Sequence, residues 1–139
     1  MPGQKNRIIL DSNIWISFLI TNQFSNLDSL IFSNDVILLY SYDLIDEFIE
    51  VTNRPKFKKY FRVEAIEGVL DYIKNIGILV DIITKVYACR DQKDNFLLSL
   101  VIDGKATHLI TGDKDLLVLK EFGGTKILPI ADYLAEKGN

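Results

Sequence analysis

The stretch RDQKDNFLLSLVIDGKATHLITGDKDLL, residues 90–117, decides the reading of this chain. Its Phe96–Ile102 segment is apolar on every side, the pattern of a helix buried all round. Asp94 opens that helix, with Asp91 just before it. Thr107–Thr111 has the pattern of a short buried strand and runs straight into Gly112-Asp113-Lys114-Asp115. A short helix is expected over 114–119. A buried helix feeding a buried strand is the unit of a parallel α/β sheet, and ligands of such sheets bind beyond the carboxyl ends of the strands. Here that end carries acids.

Working outward, the same alternation continues. Ile78–Ile83 reads as a strand. Val63–Ile76 carries apolar residues at 63, 66, 69, 70, 73 and 76, a helical period, and Gly77 supplies a C-cap. Residues 42–53 read as a helix that stops before Pro55. Val36–Tyr40 is a continuous apolar run, as in a strand covered on both faces. A helix is expected near 27–32. At the N-terminal end, Arg7–Leu10 reads as a strand, and Asp11, Ser12 and Asn13 can each cap the apolar helix that follows. At the other end come a strand over 126–130 and a helix over 131–137. The order predicts one three-layer α/β/α domain over residues 1–139, with a core of about 7–135. Its central sheet is expected to be mainly parallel, with about five strands.

Composition narrows the chemistry. The chain has 139 residues, enough for one domain with a sizeable core. Its 16 Lys+Arg against 19 Asp+Glu give a net charge of −3, so any contact with nucleic acid must use a local patch. One cysteine, Cys89, excludes an internal disulfide and suits a reducing compartment. One histidine, His108, leaves no basis for a His-built metal centre, so metal chemistry would fall to carboxylates. No signal peptide or membrane span is recognisable, and a cytoplasmic location is expected.

The carboxylates fall at corresponding places. Asp11 follows the first strand, and Asp113 follows another strand 102 residues later. Asp94 opens the buried helix. On the helix over 42–53, Leu44, Ile45, Phe48, Ile49 and Val51 form the apolar face, Asp46 and Glu50 fall opposite, and Glu47 sits at the border, able to point inward. Acids converging on a partly dry rim repel unless a cation neutralises them or some stay protonated. Mg²⁺ or Mn²⁺, one ion or two, suits an all-oxygen ligand set, and phosphodiester hydrolysis is the reaction such a centre serves. Each acid also has a plainer reading: Asp11 and Asp94 as helix caps, Glu47 as a solvated residue, Asp113 and Asp115 as turn and cap residues.

Four segments together resemble a known family: IILDSNIWIS (8–17), EFIEVTNRPKF (47–57), the 90–117 stretch and ILPIADYL (127–134). They are similar to PIN domains, and in particular to the branch of PIN-family toxins that includes VapC-type toxins of toxin–antitoxin systems. The resemblance implies three or four acids that bind Mg²⁺ or Mn²⁺ and cleave single-stranded RNA, leaving a 5′-phosphate and a 3′-hydroxyl. By motif, Asp11, Glu47, Asp94 and Asp113 match the four acids, and Asp115 matches an additional ligand or water-positioning group. Asp91, one helical turn before Asp94, is the alternative third acid. Asn13 and Thr111 match polar positions that orient the acids. The resemblance further implies a homodimer and, for a toxin, a separately encoded antitoxin. Two other functions remain open: a non-catalytic RNA- or partner-binding domain, and another α/β metal-dependent phosphohydrolase. Against the latter, Asp11-Ser12-Asn13 lacks the second Asp of the haloacid-dehalogenase DxD motif.

A basic segment follows the Glu47 helix. Arg54, Lys56, Lys58, Lys59 and Arg62 place five cations in nine residues, interleaved with Phe57, Tyr60 and Phe61. Cations for phosphates and aromatic faces for bases suit single-stranded nucleic acid. A solvated loop with packing aromatics is the plainer reading. Trp15 and His108 are expected in structural roles, Cys89 as a small buried apolar residue, and Lys93 and Lys114 as solvent-exposed.

Overall fold

A computed structural model of the chain describes residues 5–21, 36–87 and 94–137. The expected helix near 27–32, together with Cys89, Asp91 and Lys93, lies outside them. The described elements run β1 (Asn6–Leu10), α1 (Ser12–Thr21), β2 (Val36–Tyr40), α2 (Tyr42–Thr52), α3 (Pro55–Lys58), α4 (Val63–Ile76), β3 (Ile78–Leu79), α5 (Asn95–Gly104), β4 (His108–Ile110), α6 (Lys114–Leu117), β5 (Glu121–Phe122), β6 (Thr125–Leu128) and α7 (Ile130–Lys137).

The strands form one six-stranded sheet in the order β3-β2-β1-β4-β6-β5. All pairings are parallel except that of β5 with β6. Central β1 pairs Ile8 with His108 and Leu10 with Ile110 on β4, and Arg7 with Ile37 on β2. Ile8, Ile9 and Leu10 are fully buried, as are Leu39, Leu109 and Ile110. Helices flank this sheet, which is why the strands read as unbroken apolar runs. On α5, Leu97, Leu98 and Leu100 are fully buried and Val101 almost so. Each such side chain contributes about 1.5–3 kcal/mol of burial.

Local chemistry sets the helix limits. The Ser41 hydroxyl accepts the Leu44 N–H at the start of α2. Pro55 opens α3 at a position where its missing N–H costs nothing. Trp15 is buried and meets Phe18 and Tyr72 edge-on, at 6.2 and 6.4 Å, which ties α1 to α4. Gly77, after α4, has ordinary extended backbone angles. It is a glycine for space: a Cβ would lie 2.6 Å from the Ile73 carbonyl oxygen and 2.7 Å from Tyr40 Cδ1.

The sequence expectation of a strand over 78–83 is corrected to two residues. Its partner β2 ends at Tyr40, whose carbonyl takes the Val80 N–H, and beyond that point no strand among the described residues pairs with it. The chain continues without regular secondary structure, and Asp103 on α5 holds it by accepting the Ile83 and Thr84 N–H groups at 2.8 and 2.9 Å. The sixth strand was not expected. Gly123 and Gly124, at φ of 57° and 85°, form the two-residue turn that folds β5 back onto β6. Residues 55–58, expected to be loop, form α3.

Candidate metal centre

The β1–β4 pairing places the first and last acids together. β1 ends at Leu10 beside Ile110, and the ladder continues one step as the Asp11 N–H donates to the Ile110 carbonyl at 3.0 Å. Asp11 is therefore buried at the carboxyl edge of the sheet, next to Thr111. The Thr111 hydroxyl donates to Asp11 Oδ2 at 2.7 Å and accepts the Asp113 N–H at 3.0 Å. Asp113 in turn caps α6, its Oδ1 accepting the Asp115 N–H at 2.9 Å.

Glu47 arrives from α2, half-buried. The Ser12 hydroxyl donates to Glu47 Oε1 and lies 3.3 Å from Asp11 Oδ1, so it bridges two carboxylates from different elements. Asp94 is buried at the start of α5 and makes no side-chain capping bond there, so the cap reading of this residue is set aside. Carboxylate oxygens of Asp94, Asp113 and Asp115 all lie within 4.8 Å of one another, the one such group among the described residues. Asp11, Glu47, Asp94 and Asp113 line a single cleft of about 790 Å³.

Electrostatics follow from this packing. Burial pushes the Asp11 carboxyl above the ordinary aspartate value, and the Asp113 charge adds to the effect, while hydrogen bonds from Thr111 and Ser12 oppose it. Burial likewise raises Glu47, with Asp11 and Glu50 pushing the same way and the Ser12 bond and Arg54 opposing. Such a rim is stable in its ionised form only with a cation in it. The donor set is entirely carboxylate oxygen, which fits a hard divalent ion such as Mg²⁺ or Mn²⁺.

The matching family model is that of the PIN domain, over residues 7–115, which spans all five acids. The chain belongs to the PIN-domain family. PIN domains are generally nucleases and generally bind divalent metals, and the acidic rim of this PIN domain agrees with that. An uncharacterized protein of Methanocaldococcus jannaschii, MJ1680, is 29% identical over 124 residues, covering 87% of this chain and 79% of that protein. A solved structure of VapBC2 from Rickettsia felis, bound to a DNA fragment from their promoter, matches with a TM-score of 0.57. It shares 14% identity and covers 87% of this chain and 96% of that one, a likeness of fold.

Not every expected site residue takes the expected place in this PIN domain. Thr111 contacts the acids as described, whereas Asn13 is exposed at the cleft rim and makes no hydrogen bond to an acid among the described residues. Ser12, its neighbour, bridges the acids instead. The only sequence signal for Ser12 was its place in Asp11-Ser12-Asn13. Arg54 and Lys56 line the cleft, with Arg54 held by Glu50 through bonds of 3.2 and 2.9 Å. Lys58, Lys59 and Arg62 are exposed farther along and do not line it. Glu50, on the solvent side of its helix, forms part of the cleft mouth. His108 is buried, bonded to Thr107 and Glu136, away from the acids. Among the described residues no helix is long and apolar enough to cross a membrane.

Proposed function

We propose that this PIN domain is an endoribonuclease that hydrolyses phosphodiester bonds of single-stranded RNA with Mg²⁺ or Mn²⁺, and that it is the toxin of a toxin–antitoxin pair. The observation that carries the reading is the convergence of Asp11, Glu47, Asp94 and Asp113, from four separate elements, on one cleft bordered by Arg54 and Lys56. Asp94, Asp113 and Asp115, whose oxygens lie within 4.8 Å of one another, would hold one or two ions together with Asp11 on the same cleft. A bound ion stabilises charge on the phosphoryl oxygens and lowers the pKa of water.

The protein's own groups do the rest. Thr111 and Ser12 fix the carboxylates by hydrogen bonds, so the ligand oxygens are in place before substrate arrives. Glu47, with its raised proton affinity, aligns the attacking water and takes its proton on a carboxylate oxygen. Arg54 and Lys56 pair with strand phosphates, and Lys58, Lys59 and Arg62 extend that contact along the chain. The toxin role is supported by the fold shared with VapBC2. It brings with it a homodimer in the cytoplasm and an antitoxin that covers the cleft.

The test is cleavage of a labelled single-stranded RNA by purified protein with Mn²⁺, with Mg²⁺ and with EDTA, beside an Asp11→Asn/Asp94→Asn variant. Cleavage that requires metal and is lost in the variant is the expected result. Cleavage that persists in the folded variant would overturn the assignment.

A further inference from the structure

We propose that the aromatic hollow next to the acid cleft is a nucleobase subsite, seating one unstacked base of the RNA strand beside the phosphate being cut. The inference rests on the RNA reading above and adds where a base is held. The hollow encloses about 390 Å³ between the end of α1 and the α3 segment, and is lined by Leu19, Ile20, Lys56, Phe57, Tyr60 and Phe61. That volume lies in the lower part of the roughly 300–1,000 Å³ range of small-molecule sites. Lys56 and Phe57 also line the acid cleft, so one wall separates the two cavities.

The walls match the two halves of a nucleotide. Phe57 and Phe61 lie stacked on each other, 5.9 Å apart and 13° from parallel, and give the hollow an aromatic wall. Tyr60 leaves 72% of its surface exposed and Ile20 61%, a cost in apolar exposure that a base stacked between them would remove. Lys56 Nζ sits 5.2 Å from the Phe57 ring centre and Lys59 Nζ 5.3 Å from that of Tyr60. Phe57 and Tyr60 thus each carry a cation over one ring face, from which it can swing to the phosphate of a base that takes its place. A purely apolar peptide side chain would fill the hollow but would leave the lysines without anions. With a base seated there, the neighbouring phosphate lies across the Lys56–Phe57 wall, toward the carboxylates. The identity of that base would then select the position of the cut.

The experiment uses the full chain in EDTA, so that binding is read without cleavage. Fluorescence anisotropy measures the affinity for a short 5′-labelled oligouridylate and for an abasic ribose-phosphate strand of the same length. Tyr60→Ala is the test variant, because its exposed side chain carries little of the fold; Lys59→Ala is the control for charge alone. Loss of one stacked base costs about 5- to 100-fold in affinity. Tyr60→Ala should weaken oligouridylate by that factor and leave the abasic strand almost unchanged, while Lys59→Ala weakens both alike. Equal effects of Tyr60→Ala on the two strands, or none on either, would overturn the subsite. So would a hollow that binds an apolar peptide and does not distinguish the two strands. A metal-dependent RNA cleavage that survives Tyr60→Ala with unchanged site preference removes the subsite alone. Base discrimination without any cleavage in Mn²⁺ removes the nuclease reading alone.

Discussion

The Thr111 hydroxyl donates to Asp11 Oδ2 over 2.7 Å, joining two strand ends that lie 100 residues apart in sequence. The same oxygen accepts the Asp113 N–H. One buried hydroxyl thereby sets the spacing of two acids. Thr111→Val keeps the shape and removes both bonds. It should cost about 1–3 kcal/mol of stability and weaken divalent-metal affinity about 10- to 100-fold. Thr111→Ser should restore most of the affinity. Calorimetric Mn²⁺ titration of the two variants decides this, and equal affinity in Val and wild type would refute the positioning role.

Asp11 is buried with its carboxyl raised above the ordinary value near 3.8, so without metal its charge works against folding. The sign follows from linkage: the folded state binds the proton more tightly, so the penalty is present above the raised pKa and relieved as pH falls through it. Asp11→Asn should therefore melt higher than wild type in EDTA at neutral pH, by on the order of a few degrees. The gap should narrow on acidification toward the ordinary aspartate value. Saturating Mn²⁺ should reverse the order, since binding at 100 times Kd adds about 2.7 kcal/mol to wild type alone. Thermal melts across pH, with and without metal, read all three effects.

The Ser12 hydroxyl donates to Glu47 and lies close to Asp11, and it opposes the upward push that burial exerts on both carboxyls. Removing a bond to the charged form raises a carboxyl's pKa. Ser12→Ala should shift the acidic limb of the kcat/KM profile for RNA cleavage to higher pH. A reduced rate on an unmoved profile would assign Ser12 a packing role only.

Glu50 pins Arg54 at the mouth of the cleft, with both side chains largely exposed, so the pair is worth at most about 1 kcal/mol to the fold. Glu50→Gln should leave the melting temperature almost unchanged. It should strengthen RNA binding and steepen its salt dependence by roughly 0.7 in the log–log slope as Arg54 becomes available to one phosphate. Reversing Lys58 and Lys59 to Glu should flatten the slope. Filter binding at several salt concentrations distinguishes these outcomes.

Gly77→Ala is a prediction of the fold alone. Its methyl would press on the Ile73 carbonyl and the Tyr40 ring. A loss of about 1–3 kcal/mol in chemical denaturation is expected, with metal affinity unaltered, because the acids lie elsewhere.

Much of this was legible in the residues. The unbroken apolar runs of β1, β2 and α5 announced largely buried elements, although Ile102 at the end of the α5 run is exposed, and the helical period of 63–76 appears as α4. The helical wheel set Glu47 apart from Asp46 and Glu50, and only Glu47 turns inward far enough to meet Ser12. The end of β3 was not legible, because the length of a strand depends on its partner, and Ile82 and Ile83 are as apolar as the paired residues before them. The β5–β6 hairpin did leave a signal in Gly123-Gly124, a turn that demands positive φ twice. Ser12 rather than Asn13 is the bridging side chain because Ser12 is buried against the acids and Asn13 faces solvent, which adjacent polar residues do not encode in their identities.

The strand order has a kinetic consequence. β1 is made first but completes its pairing only when β4 arrives, about 100 residues later, and Asp11 meets Thr111 and Asp113 at that same step. Contacts so distant in sequence form slowly, after the large entropic cost of closing the loop. During synthesis the nascent chain holds the open side of β1, with its fully buried Ile8, Ile9 and Leu10, unpaired and in need of protection. An N-terminal fragment lacking β4 assembles none of the acid pairs across β1 and β4. The Asp11–Thr111–Asp113 part of the centre therefore forms late in folding, whereas the Ser12–Glu47 contact needs only residues that precede β3.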